Sequence, residues 1–231
     1  MYKMMHWGQM LFQEGGSLFM RQLDYFHDYL LFICVVIMFI VMYGFFFFFF
    51  KRNSLRVYGD SHITELIWTA LPLIVLFFLA LPSMRLLYLM EEDKIPSVNV
   101  KVVGHQWYWS YSYYDFPGIE FDSYMTPEDE LLNGEFRLLE VDSRLVLPMK
   151  SEIGIFVSGA DVIHSWALPS LGVKIDAIPG RSNAYSFNSG FCGVYYGQCS
   201  EICGANHSFM PIVVESVPEV HFIKWVESMT E

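Results

Sequence analysis

Positive charge is scarce in the last three-fifths of the chain. Residues 91–231 carry 8 Lys and Arg against 20 Asp and Glu, a balance of −12, while residues 1–90 carry 6 against 5. This excludes nucleic acid as a partner, because a phosphate backbone calls for the opposite sign. It favours basic partners, drawn in by long-range steering. Cysteine is also scarce. Cys34, Cys192, Cys199 and Cys203 are 4 in 231 residues, too few for a disulfide scaffold. No internal repeat is present. Charge of either sign is missing from one long stretch, Tyr29 to Phe50. The chain is 54% hydrophobic with a net charge of −11, so apolar and acidic residues are segregated along it.

The uncharged stretch, YLLFICVVIMFIVMYGFFFFFF, is 22 residues long. A bilayer core of about 30 Å needs about 20 such residues as a helix. The run is too long and begins too far from the N-terminus for a signal peptide. Cys34 lies within it and reads as an inert buried thiol. A second span runs from Leu66 to Leu89, provided that Arg85 snorkels to the interface or meets a protein neighbour; Pro72 and Pro82 are tolerable kinks there. The connecting loop, residues 51–65, holds Lys51, Arg52 and Arg56, which places it on the cytoplasmic side or its equivalent. Both tails then lie on the opposite side. The chain thus divides into a tail and transmembrane hairpin (1–90, spans about 29–50 and 66–89) and an acidic domain (91–231).

From Val98 the pattern becomes β. Short β-branched and aromatic runs alternate with Pro, Gly and Asp turns, at residues 98–103, 107–114, 120–125, 137–141, 152–158, 184–190, 193–197 and 211–216. They predict an all-β sandwich or barrel. Residues 219–230 read as a closing helix.

The chemistry is concentrated in YGQCSEICGANHSFMP (196–211). Cys199 and Cys203 are four residues apart, His207 follows four later and Met210 three after that. His164 lies upstream, near the end of a strand. A disulfide needs neither the histidine nor the methionine, and structural zinc sites use nitrogen, sulfur and carboxylate ligands but no thioether. Thiolate with thioether selects Cu(I), and imidazole also accepts Cu(II). One Cys, two His and a weak Met would make a mononuclear blue-copper centre, for which this set has one cysteine too many. Two thiolates could instead bridge two copper ions, with one histidine on each and Met210 at one end. An oxygen such as the Glu201 carbonyl would fill the remaining position.

These residues, with GHQWYWSY (104–111), FDSYM (121–125), RLLEVD (137–142) and DVIHSWALPSLGVKIDAIPGR (161–181), resemble subunit 2 of the mitochondrial cytochrome c oxidases, in the haem–copper oxidase family. The likeness covers nearly the whole chain. It implies an α+β membrane protein, a two-helix transmembrane hairpin followed by a cupredoxin-like Greek-key β-sandwich or barrel. It implies a dinuclear copper centre on His164, Cys199, Glu201 (through its carbonyl), Cys203, His207 and Met210. It further implies a magnesium ion on the Glu201 carboxylate, shared with a large haem-containing catalytic subunit. Trp107 would receive the electron from cytochrome c, and Asp122, Asp142 and Asp161 would belong to the acidic face that docks it. Tyr108 and Trp109 would be core aromatics. Glu65 would stand at a proton-uptake entrance, although a carboxylate favoured by the helix dipole is an equally good reading.

The expected setting is the mitochondrial inner membrane, with both termini and the copper domain in the intermembrane space and the 51–65 loop in the matrix. The lack of a cleavable signal or transit peptide points the same way. Ala160, the FPGIEF stretch (116–121) and the six phenylalanines at 45–50 depart from the family pattern without touching the metal set. Other functions compete. A quinol oxidase subunit would lack the copper ligands, and a nitrous oxide reductase would need a longer chain. A copper-delivery protein would need an exposed, exchangeable site. A disulfide-linked structural subunit would leave His207 and Met210 unexplained.

Overall fold

The structure, a computed structural model, describes residues 9–50, 61–92 and 95–230. The chain divides into two compact units. One is Gln22–Glu92; the other joins the preceding segment through Arg21 to everything from Asp93 onward.

The first unit is built on α1 (Leu18–Phe50, 33 residues) and α2 (His62–Met90, 29 residues). Both are long and apolar enough to cross a membrane. The 29–50 and 66–89 runs fall inside them. At about 1.5 Å per residue, α1 is roughly 50 Å long and exceeds the ~30 Å apolar layer. Helix continues past the apolar run because its backbone hydrogen bonds do not depend on side-chain polarity. The expectation for Cys34 is corrected: its thiol is exposed, since an isolated helical hairpin has no interior in which to hide it. The basic loop residues Lys51, Arg52 and Arg56 lie outside the described residues.

The start of α1 belongs to the second unit. Ser17 caps the helix by accepting the Met20 N–H at 2.9 Å, and its hydroxyl donates to the Leu171 carbonyl at 2.7 Å. Gly16 N–H donates to Ser170, and Gly190 N–H donates to the Gly16 carbonyl. Ser17 and Met20 are buried.

The β unit contains β1 (Val98–His105), β2 (Tyr108–Tyr113), β3 (Glu120–Ser123), β4 (Leu145–Pro148), β5 (Glu152–Gly159), β6 (His164–Leu168), β7 (Val173–Ala177), β8 (Asn183–Asn188), β9 (Gly193–Gln198) and β10 (Pro211–Val217), closed by α3 (Glu219–Thr230). A five-stranded sheet runs β3-β2-β1-β5-β8, a three-stranded sheet runs β4-β10-β9, and β6 pairs with β7. The β1–β5 and β4–β10 pairs are parallel and the others antiparallel. Parallel neighbours need crossovers, which separates this architecture from a simple meander. Val100, Val102, Ile155, Trp166, Leu168 and Ile212 form the dry centre of the core. The α+β class and the cupredoxin-like β unit agree with expectation.

The strand expected at 137–141 is absent. Leu138 has φ 66°, left-handed backbone that breaks an extended run. Glu140, within that stretch, is buried. It accepts hydrogen bonds from Tyr196 Oη at 2.7 Å and Arg144 at 3.3 Å.

Candidate metal centre

One strand, one loop and one 3₁₀ turn carry the donor atoms. β6 begins at His164, so the imidazole enters the interior at the mouth of the β6–β7 hairpin, and none of it is exposed. β9 ends at Gln198 and delivers Cys199 directly into the loop that follows. The Ser200 N–H donates to the Ser165 carbonyl at 3.0 Å and ties that loop to β6. A short 3₁₀ turn, His207–Phe209, returns the chain to β10 and leaves Met210 buried at its end.

The sulfur atoms of Cys199 and Cys203 stand 3.9 Å apart, and both are free thiols. Cys199 Sγ is 4.0 Å from His164 Nδ1, and Cys203 Sγ is 3.5 Å from His207 Nδ1 and 3.5 Å from Met210 Sδ. The Glu201 carbonyl lies 3.3 Å from Cys199 Sγ. All six sequence-selected donors therefore meet in one place. The ligand atoms of His164, Cys199 and Cys203 lie within 4.8 Å of one another, close enough to hold a metal ion. A metal about 2.3 Å from each of two thiolates sits to one side of a 3.9 Å sulfur–sulfur line. The donor set thus fits a pair of soft metal ions better than a single zinc, which has no use for Met210.

The electrostatics prepare this site. Burial works against the Cys199 thiolate, but hydrogen bonds from His164 and the Ser165 amide outweigh it and pull the thiol pKa down. Burial and the neighbouring Cys199 charge push Cys203 up. Burial lowers the His164 pKa, while Cys199 and Asp161 more than reverse that and raise it. Asp161 Oδ1 lies 2.8 Å from His164 Nε2, which fixes Nε2 as the protonated nitrogen and turns Nδ1 toward the sulfurs.

Comparison with known proteins follows the same residues. The family described as "Cytochrome C oxidase subunit II, periplasmic domain" matches residues 98–217, and its transmembrane-domain counterpart matches residues 5–86. Subunit 2 of cytochrome c oxidase from Drosophila simulans and from Drosophila melanogaster are each 56% identical over 222 residues, covering 96% of this chain and 97% of theirs. The chain belongs to the cytochrome c oxidase subunit II family.

Among solved structures, the periplasmic domain of the Bradyrhizobium japonicum subunit II is similar with a TM-score of 0.56. It is 47% identical, over 60% of this chain and 97% of that one. A mixed disulfide between a thioredoxin-like protein and subunit II of cytochrome c oxidase is similar at a TM-score of 0.53. It shows 45% identity over 60% of this chain and 94% of that one. As a subunit II, this chain is a component of a haem–copper oxidase complex.

The remaining sequence-selected residues are distributed as follows. Trp107 occupies the turn between β1 and β2, half-buried, and its indole nitrogen is buried without a partner among the described residues. Its ring lies against Gly204 in the Cys203–His207 loop; a Cβ on Gly204 would stand 3.0 Å from the Trp107 ring, and φ +130° there also suits glycine. Trp109 is fully buried, as expected, and donates to the Met210 carbonyl at 3.2 Å. Tyr108 is half-buried and stacked between His105 and Tyr124. Asp122 and Asp142 are exposed, accepting from Ser110 Oγ and the Tyr124 amide respectively.

Asp161 is different from both. Its carboxylate accepts from the Gln106 and Val162 amides and engages His164, with 35% of the side chain exposed. Burial disfavours the Asp161 charge, but these donors prevail and lower its pKa. The orienting role of Asp161, and that of Gln106, whose Nε2 donates to the Cys203 carbonyl at 2.7 Å, were missed in sequence. The Asp-x-x-His spacing of residues 161–164 was the available clue. Glu65 stands in the first turn of α2, exposed, 3.6 Å from His62 Nδ1.

Proposed function

We propose that this chain is the electron-entry subunit of its oxidase, accepting electrons from cytochrome c at a dinuclear copper centre. It then passes them to haem in the large catalytic subunit, where oxygen is reduced to water with proton pumping. The observation that carries this reading is the sulfur pair: two thiols 3.9 Å apart, each with its own imidazole within 4.0 Å. His164, Cys199, the Glu201 carbonyl, Cys203, His207 and Met210 would hold the metal. Copper held there would supply one-electron chemistry.

This chain's own residues do the rest. Asp161 holds the His164 tautomer, so that the neutral ligand nitrogen is always presented. Cys199, already biased to thiolate, loses less by surrendering its proton to metal. The apolar wall around Met210 and Trp109 keeps water from the sulfurs. Trp107, packed on the ligand loop and partly exposed, is placed to receive an electron from a docked partner, with Asp122 and Asp142 on the acidic surface that steers a basic protein. The Glu201 carboxylate would bind magnesium shared with the large subunit. The hairpin would sit in the mitochondrial inner membrane with the β unit in the intermembrane space, the 51–65 loop in the matrix and Glu65 near a proton entrance.

Copper analysis with electron paramagnetic resonance of the intact oxidase tests the proposal. Two coppers on this subunit, sharing one unpaired electron with hyperfine coupling to both nuclei, is the expected result. A mononuclear signal would give the second cysteine another task, and the dinuclear reading would fail.

A further inference from the structure

One basic side chain has no place in the copper chemistry. Arg85 lies in the last turns of α2, five residues before its end at Met90. It is exposed, and no ion pair or hydrogen bond joins it to another described residue. A guanidinium in a span is costly unless it reaches a partner. Arg85 lines an open depression of about 760 Å³ with Leu81, Met84, Tyr88, Leu89 and Glu91, and Glu92 closes the lip.

The lining changes character along the helix. Leu81 and Met84 are apolar and more than half exposed. Arg85 follows, then the Tyr88 phenol, then the carboxylate of Glu91 at the C-cap. Leu81, Arg85 and Tyr88 are spaced four and three apart, which puts them on one helix face. At 1.5 Å per residue, Arg85 lies about 9 Å deeper than Glu91. Snorkelling by an arginine stem brings its charge up by several ångströms, so the cation ends just below the anion. That order of apolar wall, cation and anion matches an acyl chain, a phosphate and an ammonium group from the membrane interior outward.

We propose that the Leu81–Glu91 face of α2 binds one ethanolamine phospholipid, with Arg85 on its phosphate and Glu91 on its amine. The inference rests on the reading of α2 as a membrane span. A phosphate alone would use Arg85 and leave Glu91 repelling it. An anionic phospholipid would meet the same repulsion without gaining the ammonium contact. An ethanolamine headgroup satisfies both ends. Arginine suits the inner contact because its planar fork meets phosphate oxygens two at a time.

The test uses the whole oxidase, extracted in mild detergent and washed until loosely held lipid is gone, with bound lipid counted by native mass spectrometry. One phosphatidylethanolamine retained on the complex by this subunit is the expected wild-type result. Arg85→Leu should lower its occupancy about tenfold, the equivalent of one charge-assisted contact. Arg85→Lys should keep part of it, since lysine returns the charge without the planar fork. Glu91→Gln should exchange the preference toward phosphatidylglycerol. Alkaline carbonate extraction reads the span itself and should be unchanged in all variants; release of the wild-type chain by carbonate would overturn the spanning reading separately. Equal lipid occupancy in wild type and Arg85→Leu would overturn the proposal. So would loss of a protein subunit from Arg85→Leu with lipid content unchanged, which would assign the face to a protein contact.

Discussion

In the β unit, Val100, Val102, Ile155 and Ile212 have no exposed surface, whereas in the helices Phe39, Val41, Phe48 and Leu66 expose 62–75% of theirs. Both regions are rich in apolar residues, and they satisfy them differently. The β unit buries its apolar faces against each other, with a metal site built into the seam. The helical unit leaves its surface for lipid and neighbouring subunits, and the only described side chain it buries after Arg21 is Leu86. Substitutions in the β unit should therefore act through packing and ligand geometry. Substitutions along the hairpin should act only where something outside the chain touches them.

The largest effect is expected at the centre of the β unit. Cys203→Ser removes one of the two thiol donors proposed for the metal from a loop already fixed by Gln106 and Ser165. Copper content should fall, and turnover with cytochrome c should drop at least about 100-fold, beyond what loss of a supporting contact costs. Circular dichroism of the β unit should be nearly unchanged. Retention of two coppers in this variant would remove Cys203 from the ligand set.

Gly197→Ala probes packing alone. A Cβ at residue 197 would collide with the Ala167 carbonyl oxygen, a backbone atom of β6 that cannot move without carrying His164 with it. Overpacking of a close-packed core costs about 1–3 kcal/mol, and this site belongs at the upper end. Thermal melting of the assembled oxidase should show the β unit weakened and copper lost together. Trp107→Ala should act on the reaction instead. Removing an interface tryptophan costs about 2 kcal/mol, so electron entry should slow by tens-fold with the copper spectrum intact. Wild-type entry rates would refute the role assigned to it.

Much of this was legible beforehand, and what was not has identifiable causes. The donor set could be read because Cys199, Cys203, His207 and Met210 are close in sequence and their chemistry leaves few alternatives. β6 escaped notice because HSWAL is buried along its whole length, and a strand covered on both faces shows no alternation. The false strand at 137–141 arose because a short apolar run looks extended in sequence, while the left-handed backbone at Leu138 that interrupts it does not show there. Asp161 was read as a docking carboxylate because sequence gives charge but not direction. Its partners come from separate places in the chain, Gln106 from the β1–β2 turn and His164 from the start of β6.

Asp161→Asn tests the orienting role through pH. Folded His164 has a raised pKa, so protons compete with metal up to a higher pH than for an ordinary histidine, and uptake by the metal-free protein should rise as pH climbs through that value. The neutral amide removes one of the two groups that hold the pKa up. The uptake curve should shift to lower pH, and the spectrum of the loaded centre should broaden as the imidazole loses its orientation. A docking residue would change neither. It would alter only the salt dependence of the reaction with cytochrome c.

The smallest effect should come from the hairpin. Gly44 lies in α1, and a Cβ there would meet nothing within 4 Å. In an exposed helix interior alanine is favoured over glycine by about 1 kcal/mol, a gain that lipid reduces because an unfolded backbone is already disfavoured there. Gly44→Ala should therefore leave assembly, copper content and turnover unchanged, within about 0.5 kcal/mol in stability, although it is the same substitution that damages residue 197. If it weakens the complex instead, the helix surface at residue 44 is covered by a close-packed neighbour. The contrast between the two units would then narrow to one between a core closed by the chain itself and a core completed on assembly.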